Sequence, residues 1–203
     1  MLYSYVITRD YGFAPNPFYG LCTLATCKPQ IRKKAQVGDW IAGFGGSDTP
    51  CAEKLVYIMR VDRVMSFDDY WGNTIFINKR PCFHNSIKAC YGDNIYHSDG
   101  DGTWYQENSH HSYENKPNYI NLEHDTSVDR VLVSSTYWYF GDRALCIPEE
   151  LSSIVKKGRG HKKVDDDLCD ELVLWIKKQY AQGVHGIPFS WKNSFERFAG
   201  ERQ

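Results

Sequence analysis

Three cationic side chains near the start of the chain have the chemistry to bind an anion. Arg9 comes first, and a guanidinium group recognises phosphates and carboxylates in a fork geometry. Lys28 and Arg32 lie on either side of Pro29, where a short helix with free backbone N–H groups is expected to begin. We therefore expect Arg9, Lys28 and Arg32 to contact a phosphate. A structural salt bridge between Arg9 and Asp10 is the alternative for the first of them.

Aromatic side chains accompany these cations along the sequence. Phe13, Trp40 and Tyr70 present flat rings that stack well on a nucleobase, although β-sheet packing also accounts for many aromatic residues. Asn16 lies between two prolines, in a loop that loses little entropy when it becomes ordered. We expect Asp10 and Asn16 to complete a ligand-binding wall with these cations and rings.

Catalytic chemistry is the second possibility, and the candidates are Asp10 and Cys22. The sequence contains no Gly-rich nucleotide loop, no HExxH pair and no nucleophile elbow. Cys22 and Cys27 have workable spacing for a metal, but paired Cys-x2-Cys knuckles are absent. We expect no metal and no other cofactor. The adjacent histidines, His110 and His111, are expected to be exposed and away from any carboxylate.

Composition limits the class of protein. The chain has 203 residues and a formal net charge of −1, so no global basic field attracts nucleic acid. Seven cysteines are scattered along a chain without a secretory leader, which indicates reduced thiols in the cytoplasm. No apolar run is long enough to cross a bilayer, so we expect no membrane association.

Patterning predicts strands at residues 2–8, 40–44, 54–65 and 129–139, where β-branched and aromatic residues dominate. It predicts helices at residues 29–36, 148–157 and 165–182, with a last short helix at 194–199. Residues 72–120 form an irregular, insertion-like region with short strand pieces near 94–97 and 102–105. The part from 148 to 203 is thus expected to be helical.

A strongly basic run, KKGRGHKK, occupies residues 156–163. It has no acidic residue, and its two glycines indicate a mobile loop. Such runs are most often solvated surface, and a further phosphate contact is the functional alternative.

The segment of residues 9–44 resembles the nucleotide modification associated domain 2 family. The resemblance depends on Arg9-Asp10 followed by GFAPNPF at 12–18, on CTLATCKPQIR at 22–32 and on GDW at 38–40. The family is associated with phage and bacterial DNA base-modification systems. The resemblance implies a role in handling modified nucleotides, and it carries over no catalytic residues.

The order of helix, Gly-Asp turn, aromatic strand and long strand is also similar to PUA-like and EVE-type barrels. Those barrels bind RNA or modified bases in an aromatic pocket. The expected fold is a single α+β domain over 1–203, with a strongly bent, mostly antiparallel sheet or a small PUA-like β-barrel and C-terminal helices.

The function expected first is a module that binds a nucleotide or a nucleic acid and reads a modified base. Two alternatives stay open. One is an enzyme of nucleotide or base modification that uses Asp10 or Cys22. The other is a structural partner in a modification or phage-defence complex.

Overall fold

The computed structural model describes residues 1–200, which form two compact units. The first unit comprises Met1–Tyr11, Ala35–Arg63 and Ser134–Ser190. The second comprises Gly12–Lys34, Val64–Val133 and the chain from Trp191 onward. Each unit is therefore assembled from three separate stretches of the chain.

Short elements make up both units. The strands are β1 (Leu2–Ile7), β2 (Cys22–Leu24), β3 (Trp40–Gly45), β4 (Leu55–Arg60), β5 (Arg63–Met65), β6 (Tyr96–Ser98), β7 (Trp104–Gln106), β8 (Val131–Ser134), β9 (Tyr137–Tyr139), β10 (His161–Val164) and β11 (Gly183–Val184). The α-helices are α1 (Pro29–Lys34), α2 (Phe67–Gly72), α3 (Ile87–Cys90), α4 (Tyr119–Thr126) and α5 (Asp166–Lys177). Short 3₁₀ helices span Thr74–Lys79, Gly141–Arg143 and Glu149–Ile154.

The first unit is built on a six-stranded mixed sheet of order β10-β1-β3-β4-β9-β11. The pairs β1–β3 and β9–β11 are parallel, and the other neighbours are antiparallel. The central strand β4 is buried along nearly its whole length, as its continuous apolar sequence requires. Helix α5 packs its apolar stripe, including Leu172 and Ile176, into the core beside Ile58 and Trp138.

The second unit contains a three-stranded sheet of order β2-β8-β5 and the β6-β7 hairpin. Its interior holds a buried ammonium group, Lys79 Nζ, which donates to the backbone and side-chain oxygens of Asn16 at 2.8 and 3.0 Å. Lys79 also donates to Thr23 Oγ1 at 3.1 Å. Asp93 accepts hydrogen bonds from Thr23 and from the Tyr70 hydroxyl, at 2.6 and 2.8 Å. This network ties the loop before β2 to the following elements of the unit.

Most of the predicted elements are confirmed within a few residues. The strands β1 and β3 and the helices α1 and α5 lie where patterning places them, and β6 and β7 match the short strand pieces. The predicted strand at 129–139 is instead two strands, β8 and β9, which belong to different sheets. They separate at a turn in which Ser134 Oγ donates to the Thr136 carbonyl at 2.9 Å.

The prediction of a helical part from 148 onward is wrong in three places. Residues 161–164 form the edge strand β10, and Gly183–Val184 forms β11. Residues 194–199 are not helical. The fold is a mixed α/β arrangement, and residues 1–200 contain no closed barrel, so the expected PUA-like barrel stays unconfirmed.

Candidate active site

A thiol, an imidazole and a carboxylate meet in the second unit. Cys27 Sγ lies 3.8 Å from His111 Nε2. The other ring nitrogen, His111 Nδ1, lies 2.8 Å from Asp125 Oδ2. The imidazole therefore stands between a sulfur and a carboxylate, with one nitrogen directed at each. A nucleophile beside a base that is oriented by a third group is the arrangement that activates thiols and hydroxyls for covalent catalysis.

The backbone holds Cys27 in an unusual conformation between β2 and α1. Cys27 and Lys28 both have positive φ angles, 58° and 42°. Residues with side chains adopt this left-handed region rarely, because Cβ crowds the backbone. Asp125 Oδ1 accepts a hydrogen bond from the Cys27 N–H at 2.8 Å. Arg32 Nε donates to the Cys27 carbonyl at 2.9 Å, so the backbone of the thiol residue is fixed on both sides.

Helix α4 supplies the carboxylate of Asp125, which is fully buried. Its Oδ2 accepts from the Tyr96 hydroxyl at 2.9 Å, in addition to facing His111. Its Oδ1 faces His124 Nδ1 at 3.2 Å as well as the Cys27 amide. A buried carboxylate with this many partners is held rigidly in its ionised form.

Aromatic rings cover His111. Phe13 lies 4.6 Å from the imidazole between ring centroids, and Phe198 lies 5.7 Å from it. His111 itself is only 3% exposed, whereas Cys27 is half-buried. The histidine is thus shielded from water while the thiol keeps a path to solvent. Low local polarity strengthens the interactions among the three groups.

The electrostatics favour a protonated imidazole at neutral pH. Burial lowers the pKa of His111, but the charges of Cys27 and Asp125 raise it by more, to about 10. For Asp125, burial raises the pKa, but the neighbouring His111 outweighs burial and holds the pKa well below its ordinary value. The imidazolium therefore lies between the Cys27 sulfur, at 3.8 Å, and the Asp125 carboxylate, at 2.8 Å.

The same three groups also have the composition of a metal site, since their ligand atoms lie within 4.8 Å of one another. A tetrahedral zinc ion takes one nitrogen from each histidine. Here the two ring nitrogens of His111 face different partners, so Asp125 would support the histidine rather than share the ion with it. We call the arrangement of Cys27, His111 and Asp125 the relay. It accounts for the contacts among these three residues without a metal ion, and the absence of a metal stays a prediction.

Three of the residues predicted for the binding wall lie in the first unit. Asp10 is 2% exposed, and its Oδ2 accepts from the Tyr139 hydroxyl at 2.6 Å. Its backbone N–H donates to Ser190 Oγ at 2.9 Å. Arg9 is exposed, whereas Trp40 is half-buried and stacks on Trp138. The buried, hydrogen-bonded carboxylate of Asp10 is placed to hold the fold of its own unit.

The other five predicted wall residues lie in the second unit, and most are buried. Arg32 is 0% exposed and donates to four backbone carbonyls, which belong to Cys27, Asp125, Val128 and Arg130. This arrangement corrects the expectation of a phosphate contact, because Arg32 is buried and four of its five N–H donors serve the fold. Asn16 and Tyr70 are committed to the Lys79 and Asp93 network, so Tyr70 has no free face for a base.

The structure brings the last two predicted residues to the thiol site. Phe13 packs on the His111 ring, which corrects its assignment as a ring that stacks on a ligand. Lys28 follows Cys27 directly and is half-buried. Burial lowers the pKa of Lys28, and Cys27 opposes that shift.

The structure also corrects the prediction that Cys22 is a candidate nucleophile. Its side chain is 0% exposed, and burial raises the pKa of the thiol to about 12. A buried neutral thiol is inert toward a substrate. The neighbouring candidate in sequence, Cys27, has the exposure and the histidine partner that Cys22 lacks.

Sequence reasoning missed two members of the cluster. His110 and His111 were expected to be exposed and remote from carboxylates, and both are buried. Asp125 carried no motif, because 98 residues separate it from Cys27. Contacts between residues far apart in the chain bring these groups together. The local sequence that pointed to Cys27 was ATCKP at 25–29, in which the cysteine comes two residues before the proline that begins α1.

These observations define a mixed α/β protein in which a half-buried cysteine meets a buried histidine and a buried aspartate. The chain belongs to the family described as nucleotide modification associated domain 2, whose model matches residues 1–195. No curated protein and no solved structure matches the chain. Among residues 1–200, none of the helices has the length and apolar character needed to cross a membrane.

Proposed function

We propose that this chain is an enzyme of nucleotide or base modification that uses Cys27 as a covalent nucleophile. The observation that carries the proposal is the His111 imidazole, which stands between Cys27 Sγ and Asp125 Oδ2. Membership of a nucleotide-modification family supports a nucleotide or nucleic acid that carries a modified base as the partner. Family membership alone does not distinguish an enzyme from a binding protein.

The relay assigns a role to each group. The Cys27 thiolate attacks an acyl carbon on the substrate, and a sulfur–carbon bond forms. His111 gives its Nε2 proton to the leaving oxygen or nitrogen as the old bond breaks. A water or amine then loses a proton to His111, attacks the thioester and releases Cys27. Asp125 keeps the imidazole oriented throughout.

The alternative of a module that reads a modified base has less support. Such a module needs exposed rings for stacking, and Phe13 and Tyr70 are buried. Trp40 is half-buried against Trp138. Binding by Arg9 and Lys28 stays compatible with an enzyme, because a substrate must also be held.

Alkylation at acidic pH tests the nucleophile. Iodoacetamide at pH 6 followed by peptide mass analysis compares Cys27 with the exposed thiols Cys82 and Cys146. Because His111 lies beside its sulfur, Cys27 should be labelled at least tenfold faster than Cys82 or Cys146. His111→Ala should remove this preference. Equal labelling of all three thiols would refute the proposed role.

Turnover tests the reaction itself. Acylated or amide-bearing pyrimidine nucleosides, nucleotides and oligonucleotides serve as substrates, and a covalent adduct on Cys27 is sought by intact mass. Cys27→Ala should abolish both adduct and turnover, while Cys82→Ala, the matched control, should change neither. Adducts that persist in Cys27→Ala would assign the chemistry to another residue.

A further inference from the structure

A basic edge lies in the first unit, and the proposed chemistry does not use it. Residues 156–163 carry five cations and no acid: Lys156, Lys157, Arg159, Lys162 and Lys163. The second half of the segment is β10, which pairs with β1 on one side only and so forms an edge of the six-stranded sheet. The segment is called the basic edge.

Little of this charge is neutralised. Lys157 forms a salt bridge with Glu53 at 2.8 Å, and both side chains are largely exposed. Exposed pairs of this kind are weak and exchange readily. Lys162 donates to the Ser153 carbonyl, which leaves its charge uncompensated. Arg159 and Lys163 have no carboxylate partner among residues 1–200.

Neighbouring residues of β10 alternate between the two faces of the sheet, so Lys162 and Lys163 flank the edge strand on opposite sides. His161 and Lys163 both approach the Tyr3 ring at 5.7 Å, which places them on one face of the sheet. Gly158 and Gly160 at the tip are left-handed, and the space around each is open.

We propose that the basic edge, residues 156–163, docks the phosphate backbone of a nucleic acid, so that the substrate nucleotide is part of a polymer. The surface has charge complementary to a polyanion, whereas the remaining residues together carry a net negative charge. The choice of a nucleic acid as the polyanion rests on the proposed function.

A paired-charge experiment tests the docking. Fluorescence anisotropy measures the affinity of the full chain for a labelled 20-nucleotide single strand and its duplex at 50 to 200 mM salt. Lys162→Gln with Lys163→Gln should flatten the plot of log affinity against log salt by about 1.8 for the duplex and about 1.4 for the single strand. The matched control removes two exposed lysines elsewhere in the unit, Lys177→Gln with Lys178→Gln. The control should leave the slope and the affinity nearly unchanged.

Three outcomes would overturn the docking proposal. Equal weakening by both variants would show a diffuse charge effect. No binding by the unchanged chain at 50 mM salt would show that a nucleic acid is not the ligand of the basic edge. Unchanged affinity with new light scattering would show that the lysines only protect an edge strand from self-association. A failure of the catalytic proposal is recognised separately, because iodoacetamide labelling of Cys27 does not depend on nucleic-acid binding.

Discussion

The Arg32 side chain holds the backbone of Cys27: Arg32 Nε donates to the Cys27 carbonyl at 2.9 Å. The same guanidinium donates to the backbone carbonyl of Asp125. One buried cation therefore fixes the main chain at both the nucleophile and the carboxylate of the relay. Because Arg32 lies on α1 and Asp125 on α4, this link also sets the distance between the two helices.

Arg32→Lys should destabilise the protein and slow the alkylation of Cys27. A lysine keeps the charge but cannot serve four carbonyls in a planar fork, so several buried acceptors lose their donors. We expect a loss of roughly 3 kcal/mol in the free energy of unfolding, measured by urea denaturation. Lys33→Gln, an exposed change on the same helix, is the control and should cost almost nothing. If Arg32→Lys matches that control, Arg32 does not hold the site.

The His111 ion pair predicts a pH-dependent stability. The pKa of His111 is 6.5 in an ordinary environment and about 10 in the folded protein. Between these values the folded chain binds more protons than the unfolded chain, so the stabilisation is complete below pH 6.5 and is lost as pH rises through 10. The free energy of unfolding of the unchanged chain minus that of His111→Gln should shrink over this range. A difference that stays constant from pH 6 to pH 10.5 would contradict the protonated relay.

Local chemistry explains which parts of the fold the sequence predicts. The first strand, the Pro29 helix start and the apolar stripe of α5 are set by neighbours a few residues away, and all were predicted. The split of the 129–139 run depends on which sheet each half joins, and a periodicity of two carries no such information.

The candidate site escapes prediction for the same reason. Its contacts join Cys27 to residues 84 and 98 positions further along, and no spacing rule covers such pairs. Arg32 shows the opposite error, because it was predicted to contact a ligand and is instead buried in the fold. Its basic neighbours Lys33 and Lys34 are exposed, and the pattern gave no reason to treat the one buried cation differently.

Tyr96→Phe tests the support of the relay with a nearly isosteric change. The Tyr96 hydroxyl donates to the Asp125 oxygen that also faces His111, at 2.9 Å. A hydrogen bond to a buried charge contributes about 2 kcal/mol, so urea denaturation should show a loss of that size. The rate of Cys27 alkylation at pH 6 should fall as well, because the carboxylate that orients His111 becomes mobile. Tyr105→Phe, which removes an exposed hydroxyl, should change neither quantity.

Lys79→Met should be the most damaging change in the second unit. It removes the cation next to the buried Asp93 and takes one donor away from each of the two oxygens of Asn16. Breaking a buried charge network in this way costs about 3 to 5 kcal/mol, which thermal or urea unfolding will show. The exposed Lys33→Met, in the same unit, is the control.

The same variant has a pH signature opposite to that of His111. Burial lowers the pKa of Lys79 from 10.5 to about 8, although Asp93 opposes the shift. Between pH 8 and 10.5 the unfolded chain binds more protons, so this lysine makes the folded protein more stable as pH rises. The destabilisation caused by Lys79→Met should therefore grow across that interval. If it instead falls steadily above pH 8, the ammonium group is not under the desolvation penalty that its burial implies.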